Sequence, residues 1–175
     1  MADMRPAFVT FNYDRSLEHF FRTALANSYR KTPAEVRAVL EKIPIVHVHG
    51  ALGALDAKDG RTYKPDLHTP DIQTAMGNIA IMPEAKHSSP EFEEARELLG
   101  SAKQIVFLGF GYHPPNMKRL EVVAYEGKIA GGSSLGLGDA ERREIQELWN
   151  VPMFVAENAQ HLNSLAFLKD AVRIR

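Results

Sequence analysis

Cysteine is the most informative absence, because none of the 175 residues is a cysteine. Without thiols the chain forms no disulfide bridge and no thiolate zinc site. This composition is typical of proteins in a reducing compartment, so we expect a cytoplasmic protein that holds no zinc. A length of 175 residues is enough for one domain and short for two, so we predict a single domain over residues 1–175.

An excess of charge of either sign is also missing. The sequence has 21 basic and 22 acidic residues, a net charge of -1 and a pI near 6.7. These values give no electrostatic basis for a nucleic-acid partner or an anionic membrane surface. No apolar run approaches the length that crosses a bilayer, and the first six residues lack the apolar core of a signal peptide. We therefore expect neither nucleic acid nor membrane as a partner.

The sequence alternates apolar runs with segments of helical spacing. Strands are expected over 8–11, 43–49, 104–108 and 151–155, with a strand or loop over 128–138. Helices are expected over 14–30, 33–42, 90–100, 116–126 and 139–149, with a C-terminal helix ending near Val172. Thr32-Pro33-Ala34-Glu35 predicts a capping box at the start of the second of these helices, with proline at its first position. Residues 51–88 show no clear period and are expected to form loops with one short helix. Strands that alternate with helices predict an α/β fold: a three-layer, Rossmann-like arrangement of a largely parallel sheet with helices on both faces.

Polar residues follow the ends of several predicted strands. In an open parallel sheet, ligands bind outside the carboxyl ends of the strands. The residues expected there are Asn12, Asp14, His49, Gly50, 109–116, Ser133 and Ser134. If these strands are adjacent, the set converges on one crevice and supplies an amide, a carboxylate, an imidazole, a glycine turn and hydroxyls. Such an inventory suits a sugar-phosphate ligand better than an apolar one.

Three interpretations are open for the histidines of the second strand. His47 and His49 are two residues apart, so a regular strand would direct both to the same face. They could form a His-x-His metal pair, which usually needs further ligands. They could instead be hydrogen-bonded structural histidines at a strand end. In the third interpretation His49 is an acid/base residue, because imidazole titrates near neutral pH.

Two other motifs also have plain structural explanations. Asn12 and Asp14 are residue types that cap helices, and a helix is predicted to begin at this point. Gly109-Phe110-Gly111 is similar to the start of the dinucleotide-binding fingerprint, but Pro114 occupies the position of its third glycine. Each of these motifs alone is therefore a weak indication of function.

Taken in order, three motifs resemble those of the sirtuin-like NAD-binding family. They are Thr10-Phe11-Asn12-Tyr13-Asp14, Val48-His49-Gly50, and Phe107-Leu108-Gly109-Phe110-Gly111-Tyr112 with Asn116. The resemblance covers roughly residues 8–155. It implies that Asn12 holds the ribose and orders a water, that His49 acts as a base on the ribose hydroxyls, and that NAD is the ligand or substrate. It further implies cofactor-binding roles for Thr10, Asp14, Gly50, Gly109, Gly111, Asn116, Ser133 and Ser134.

The sequence departs from the classical members of that family in two ways. Only seven residues precede Phe8, so the Gly-Ala-Gly-x-Ser loop that binds the pyrophosphate is missing, and the domain is expected to be N-terminally truncated. The four-cysteine zinc module of the protein deacylases is also missing, so protein deacetylation is not expected. The sequence is more similar to the zinc-free, mostly bacterial members, several of which are NAD-consuming defence enzymes.

Three hypotheses follow for the function. The first is an NAD hydrolase that cleaves the nicotinamide–ribose bond with Asn12 and His49. The second is a non-catalytic nucleotide-binding or protein-interaction module, and the third is a metal-dependent hydrolase built on His47 and His49. Loss of a first βα unit would leave an apolar sheet edge, so we also expect a homo-oligomer or a partner chain that covers it.

Overall fold

The computed structural model describes residues 6–51, 89–152 and 164–170. It divides the chain into two compact units, Met1–Ala95 and Arg96–Arg175, each of which contains its own small parallel sheet. Helices and strands occur in both units, so the mixed α/β class predicted from the sequence is confirmed. Within the described ranges, no helix has the length and apolar character needed to cross a membrane.

The first unit is a crossover between two parallel strands. Its elements are β1 (Phe8–Thr10), α1 (Ser16–Tyr29), α2 (Pro33–Leu40) and β2 (Ile45–His47). Thr10 pairs with His47 in the parallel register, and the amide of Val48 donates to the Thr10 carbonyl at 3.1 Å. The chain segments that follow both strands therefore leave the same edge of the sheet.

Local hydrogen bonds explain where the two helices of this unit begin. The Thr32 hydroxyl accepts from the Glu35 amide at 3.4 Å, and the Glu35 carboxylate accepts from the Thr32 amide at 2.9 Å. This is the capping box predicted from the sequence, with Pro33 at the first helical position. At the start of α1, the Asp14 carboxylate accepts from the Ser16 amide at 2.8 Å.

The second unit is a shorter crossover of the same kind. A helix that spans the division, α3 (Pro90–Ser101), leads into β3 (Ile105–Phe107), α4 (Pro114–Arg119), a 3-10 helix (Val122–Tyr125), β4 (Ile129–Gly132), α5 (Asp139–Trp149) and α6 (Ser164–Asp170). The strands β3 and β4 are parallel, with a register irregularity between Ile105 and Val106. The amide of Ser133 extends the pairing by donating to the Phe107 carbonyl at 2.9 Å.

Each unit has its own set of buried apolar side chains. In the first unit they are Val36, Val46, Val48, Phe92 and Ala95. In the second unit they include Ile105, Phe107, Met117, Leu120, Val122, Ile129, Ile145, Val151 and Phe167. Burial of such apolar surface is the main stabilising contribution in each unit.

One predicted helix is broken in the structure. The pattern over 116–126 predicted a continuous helix, but α4 ends at Arg119 and a separate 3-10 helix begins at Val122. Between them Glu121 has a left-handed backbone with φ of +55°. Leu120 and Val122 are both buried, and residues two apart in a continuous helix lie on different faces, so the break lets both enter the core.

Other predictions are confirmed or lie outside the described residues. The helix predicted over Asp139 to Trp149 has these bounds in the structure. Val151 and Pro152 are not in a strand, and residues 153–155 of the strand predicted there lie outside the described residues. The same holds for nearly all of the loop predicted over 51–88.

Candidate functional site

The carboxyl ends of β1 and β2 form the first polar cluster of the molecule. Asn12 follows β1 by two residues and His49 follows β2 by two residues, at the edge that both strands share. Gly50 closes the turn after β2 with φ of +83°, and its amide donates to the His47 carbonyl at 3.0 Å. The structure thus brings together the first two motifs that the sequence analysis singled out.

At the centre of this cluster lies His47, which is only 7% exposed. Its Nδ1 is 2.7 Å from the Asn12 carbonyl oxygen, and its Nε2 is 2.9 Å from Oε1 of Glu18 on α1. One imidazole ring therefore joins β2, the loop after β1 and the first turn of α1. Because both ring nitrogens already face oxygen atoms, neither lies open toward a metal ion.

Glu18 is a buried carboxylate with two basic neighbours. Its Oε1 lies 2.5 Å from Nη1 of Arg15 as well as beside His47. Burial acts to raise the pKa of Glu18, but the hydrogen bonds from His47 and Arg15 outweigh it and lower that pKa to about 2. The second oxygen, Oε2, is buried and has no hydrogen-bond partner among the described residues. Glu18 is therefore ionised throughout the neutral range.

His49 lies in an aromatic environment that differs from that of His47. Its ring centroid is 5.4 Å from Phe11, 5.6 Å from Phe92 and 6.2 Å from Tyr13, and the residue is 4% exposed. The Phe11 and Phe92 rings meet it edge-on, which is a favourable arrangement for aromatic pairs. The two histidines therefore contact different sets of side chains, although they are two residues apart.

The predicted ligand-binding residues of the β1 loop are partly engaged in local structure. The Thr10 hydroxyl accepts from the Asn12 amide at 3.1 Å, and the Asp14 carboxylate accepts from the Ser16 amide in the turn that leads into α1. The side-chain and backbone hydrogen bonds of Ser16 lower the pKa of Asp14, with a smaller electrostatic contribution from His47. Asp14 therefore has a local role in the turn before α1, but the N-cap residue of that helix is Arg15, which makes no side-chain capping hydrogen bond. Asn12 contributes its backbone to this network, while the residue itself is exposed.

A second polar cluster follows β3 and β4 in the second unit. Gly109 has φ of +58°, a backbone conformation that favours glycine, and its amide donates to the Ser133 hydroxyl at 2.7 Å. The Tyr112 hydroxyl donates to the Ser133 carbonyl at 3.1 Å, and burial raises the pKa of Tyr112. Ser133 thus ties the glycine turn after β3 to the end of β4.

Close packing explains one glycine of this cluster. A Cβ atom on Gly132 would lie 1.8 Å from the Tyr112 hydroxyl, so the phenol occupies the space of a side chain. By contrast, a Cβ atom on Gly111 would meet nothing within 4 Å, and Gly111 is exposed. Gly111 leaves open space beside the turn, whereas Gly132 is needed for packing.

The remaining predicted residues of this cluster are Asn116 and Ser134. Asn116 lies in α4, and its buried Oδ1 has no hydrogen-bond partner within the described ranges. Ser134 is 1% exposed, and its carbonyl accepts from the Leu137 amide at 3.1 Å. Ser134 therefore belongs to the core of the second unit rather than to its surface.

The arrangement shows two functional candidates that the sequence analysis did not single out. Glu18 was not predicted, although it precedes Phe21 by three residues and Leu25 by seven and so shares their helix face. Tyr112 entered only as part of a motif, although its hydroxyl fixes Ser133. Among the described residues, no group of three histidine, aspartate or glutamate side chains is arranged to hold a metal ion.

Comparisons with known proteins give no match from which a function could be inferred. No protein-family model, no curated protein and no solved structure matches the chain. Fold alone does not define an activity, so function has to be argued from the residues and geometry of the clusters.

Proposed function

We propose that this chain is a sirtuin-like NAD-binding domain that cleaves the nicotinamide–ribose bond of NAD. The observation that carries the proposal is the parallel pairing of β1 with β2, which holds Asn12 and the His49-Gly50 turn at one sheet edge. Ligands bind at this edge of parallel sheets. The proposal includes the three-layer, Rossmann-like sheet and the cytoplasmic location expected from the sequence.

The residues of the first cluster suit the chemistry of that reaction. Breaking a glycosidic bond to ribose passes through an oxocarbenium-like state, which needs a rigidly held sugar and a nearby basic group. In the proposal the exposed Asn12 amide binds the ribose and orders a water, and His49 accepts a proton from a ribose hydroxyl. The rings of Phe11, Tyr13 and Phe92 around His49 limit the access of bulk water to that proton transfer.

The second cluster supports nucleotide binding by its own geometry. Its glycine turn is held by Ser133, and the open space at Gly111 would let a ligand approach the backbone. The buried Oδ1 of Asn116, which has no partner in the described part of the chain, is an acceptor for a hydroxyl group. In the proposal these groups of the second unit are nucleotide-binding candidates in their own right, with Ser134 as a supporting residue. Thr10, Asp14 and Gly50 are the supporting residues of the first cluster.

Nicotinamide release from NAD, followed by chromatography, tests the proposed reaction. We expect release by the wild type and a decrease of about a hundredfold or more in His49→Ala and Asn12→Ala, because each removes a group that acts on the ribose. Matched controls are His19→Ala and Asn27→Ala, which change exposed residues of the same types on α1. Equal loss in a variant and its control would contradict the assigned roles.

The alternative is a non-catalytic nucleotide-binding module. It is favoured by the local engagement of Thr10 and Asp14, whose side-chain oxygens serve the turn and the start of α1. A calorimetric NAD titration separates the two proposals. Binding without nicotinamide release would support the module, and release would support the enzyme.

Exposed apolar side chains support the proposal that the chain forms a homo-oligomer or binds a partner. Large examples in the two units are Phe20 at 64% exposure and Leu135 at 63%. Exposed apolar surface is commonly covered by another chain. Light scattering tests the homo-oligomer, which a single monomeric species would contradict.

A further inference from the structure

The hydrogen bonds of His47 impose a condition on its protonation. Nδ1 faces the carbonyl oxygen of Asn12 at 2.7 Å, and a backbone carbonyl can only accept a hydrogen bond. Nδ1 must therefore carry a proton and donate it. A neutral imidazole carries a single proton, so this bond alone would leave Nε2 as an unprotonated acceptor.

Nε2, however, also faces an acceptor. Its partner is Oε1 of Glu18 at 2.9 Å, and the same oxygen accepts a hydrogen bond from Nη1 of Arg15. Arginine stays protonated in proteins, and its hydrogen bond requires a lone pair on that oxygen. An ionised Glu18 has nothing to donate to Nε2, so Nε2 must carry a proton as well.

Among the described residues, three charged groups lie around the ring of His47. The groups that face it are Glu18 and Arg15 at the start of α1 and Asp14 in the loop before that helix. These three contribute two negative charges and one positive charge. Of the two acids, Glu18 is the buried one and contacts the ring directly, so its negative charge favours a positive imidazolium.

We infer that His47 is a doubly protonated imidazolium that positions the Asn12 loop by donating to the Asn12 carbonyl and to Glu18 at the same time. The importance of this position rests on the proposed function, in which Asn12 holds the ribose. The backbone of Asn12 is held on both sides of its Cα atom, since its amide donates to the Thr10 hydroxyl and its carbonyl faces His47. The negative charge of Glu18 favours retention of the Nε2 proton, so loss of the other proton from His47 would place the Nδ1 lone pair opposite the Asn12 carbonyl oxygen and release that bond.

Nitrogen-15 NMR of the labelled full chain, without NAD, tests the protonation directly. We expect both ring nitrogens of His47 to carry protons at neutral pH, while His19, which is exposed on α1, serves as an internal reference. The signal of His47 is assigned by its disappearance in His47→Gln. A neutral His47 ring in the wild type at neutral pH would overturn the inference.

The variant Glu18→Gln provides the matched test. A glutamine amide can donate to Nε2, so every hydrogen bond is satisfied by a neutral ring that keeps its proton on Nδ1. We expect His47 to lose its Nε2 proton in this variant at neutral pH. An unchanged, doubly protonated ring would overturn the argument, because Glu18 would not be the group that holds the second proton.

The positioning role has its own measurement. The Tyr13 amide belongs to the same peptide unit as the Asn12 carbonyl, so its NMR shift reports the hydrogen bond to His47. We expect the Tyr13 shift to follow the deprotonation of His47 as pH rises in the wild type. A Tyr13 shift that is independent of His47 would overturn the role in positioning.

The pH dependence of nicotinamide release is a further test, and it distinguishes this inference from the proposed function. Where nicotinamide is released, the wild-type rate should fall over the pH range in which His47 deprotonates, and Glu18→Gln should lack that limb of the profile. A rate that does not follow His47 would overturn the positioning role in catalysis. No release by any form would contradict the proposed function alone, because the NMR measurements need no NAD.

Discussion

The two units use similar strand arrangements but stabilise their polar loops by different interactions. After β1 and β2 the loops are held by charged side chains, with His47 and Glu18 buried together. After β3 and β4 the loops are held by the neutral groups of Ser133 and Tyr112 and by a glycine that leaves room for the phenol. We therefore expect the first unit to depend on charge and pH, and the second to depend on side-chain volume.

The largest expected effect is the loss of the buried carboxylate. Glu18→Ala should lower the free energy of unfolding by about 3 kcal/mol or more, because it removes the buried carboxylate that bonds both His47 and Arg15. Urea denaturation at neutral pH measures this change. Glu41→Ala removes an exposed carboxylate after α2 and should change stability by less than about 0.5 kcal/mol. Equal effects of the two substitutions would contradict the special role of Glu18.

Acid should weaken the first unit through the same residue. Glu18 has a lowered pKa of about 2 in the folded chain, against an ordinary value of 4.5. A lowered folded-state pKa stabilises the folded state above the unfolded value, so this stabilisation is present above about pH 4.5 and is lost toward pH 2. The loss amounts to at most about 3 kcal/mol.

Unfolding measured from pH 6 down to pH 3 checks this dependence. Glu18→Gln cannot ionise and should show a shallower decrease in stability than the wild type over that range. Asp14 and Glu35 also have lowered pKa values, so the difference between the two chains, and not the wild-type slope, isolates Glu18. Parallel curves would contradict the prediction.

Volume should matter most in the second unit. Gly132→Ala should destabilise by about 2 kcal/mol, because the new methyl group would overlap the Tyr112 hydroxyl and force the buried ring to move. Thermal unfolding measures the change. The matched control is Gly111→Ala, which has open space and should cost much less.

A second variant tests whether the phenol is the cause. Tyr112→Phe removes the hydroxyl that the new methyl group would meet first, so the double variant should lose less stability than the sum of the single variants. Additive losses would show that Gly132 is required for some other reason.

The smallest expected effect concerns the hydroxyl that holds the glycine turn. Ser133→Ala should cost about 1 kcal/mol, because the Gly109 amide loses its acceptor. Chemical denaturation of Ser101→Ala supplies the control, since that hydroxyl is exposed at the end of α3. A loss of stability in Ser133→Ala that changes with pH would contradict the expectation that the polar loops of the second unit are held by neutral groups.

Features specified by neighbouring residues were the most accurately predicted from the sequence. The capping box of Thr32 and Glu35 was found because all of its partners lie within four residues. The bounds of the helix from Asp139 to Trp149 followed for the same reason, with Gly138 before it and Asn150 in a left-handed conformation after it.

Features that depend on distant residues were missed or only partly predicted. His47 and Glu18 are 29 residues apart, and their contact arises from the packing of α1 beside β2. The break between α4 and the 3-10 helix likewise depends on the burial of Leu120 and Val122, which helical spacing does not reveal. The sequence signal for Glu18 is an acidic residue at helical spacing with the apolar residues Phe21 and Leu25. Helical spacing alone does not show that such a residue is buried beside a histidine.

Burying His47 and Glu18 together is an unfavourable way to fill space if stability is the only requirement. Removing two charges from water carries a large desolvation penalty, and buried ion pairs in other proteins are often replaced by apolar side chains without loss of stability. The pair nevertheless gives the chain something that an apolar contact would not, namely a directional constraint on one carbonyl of the β1 loop. Packing alone could keep this region folded, but it would leave the orientation of the Asn12 peptide undefined.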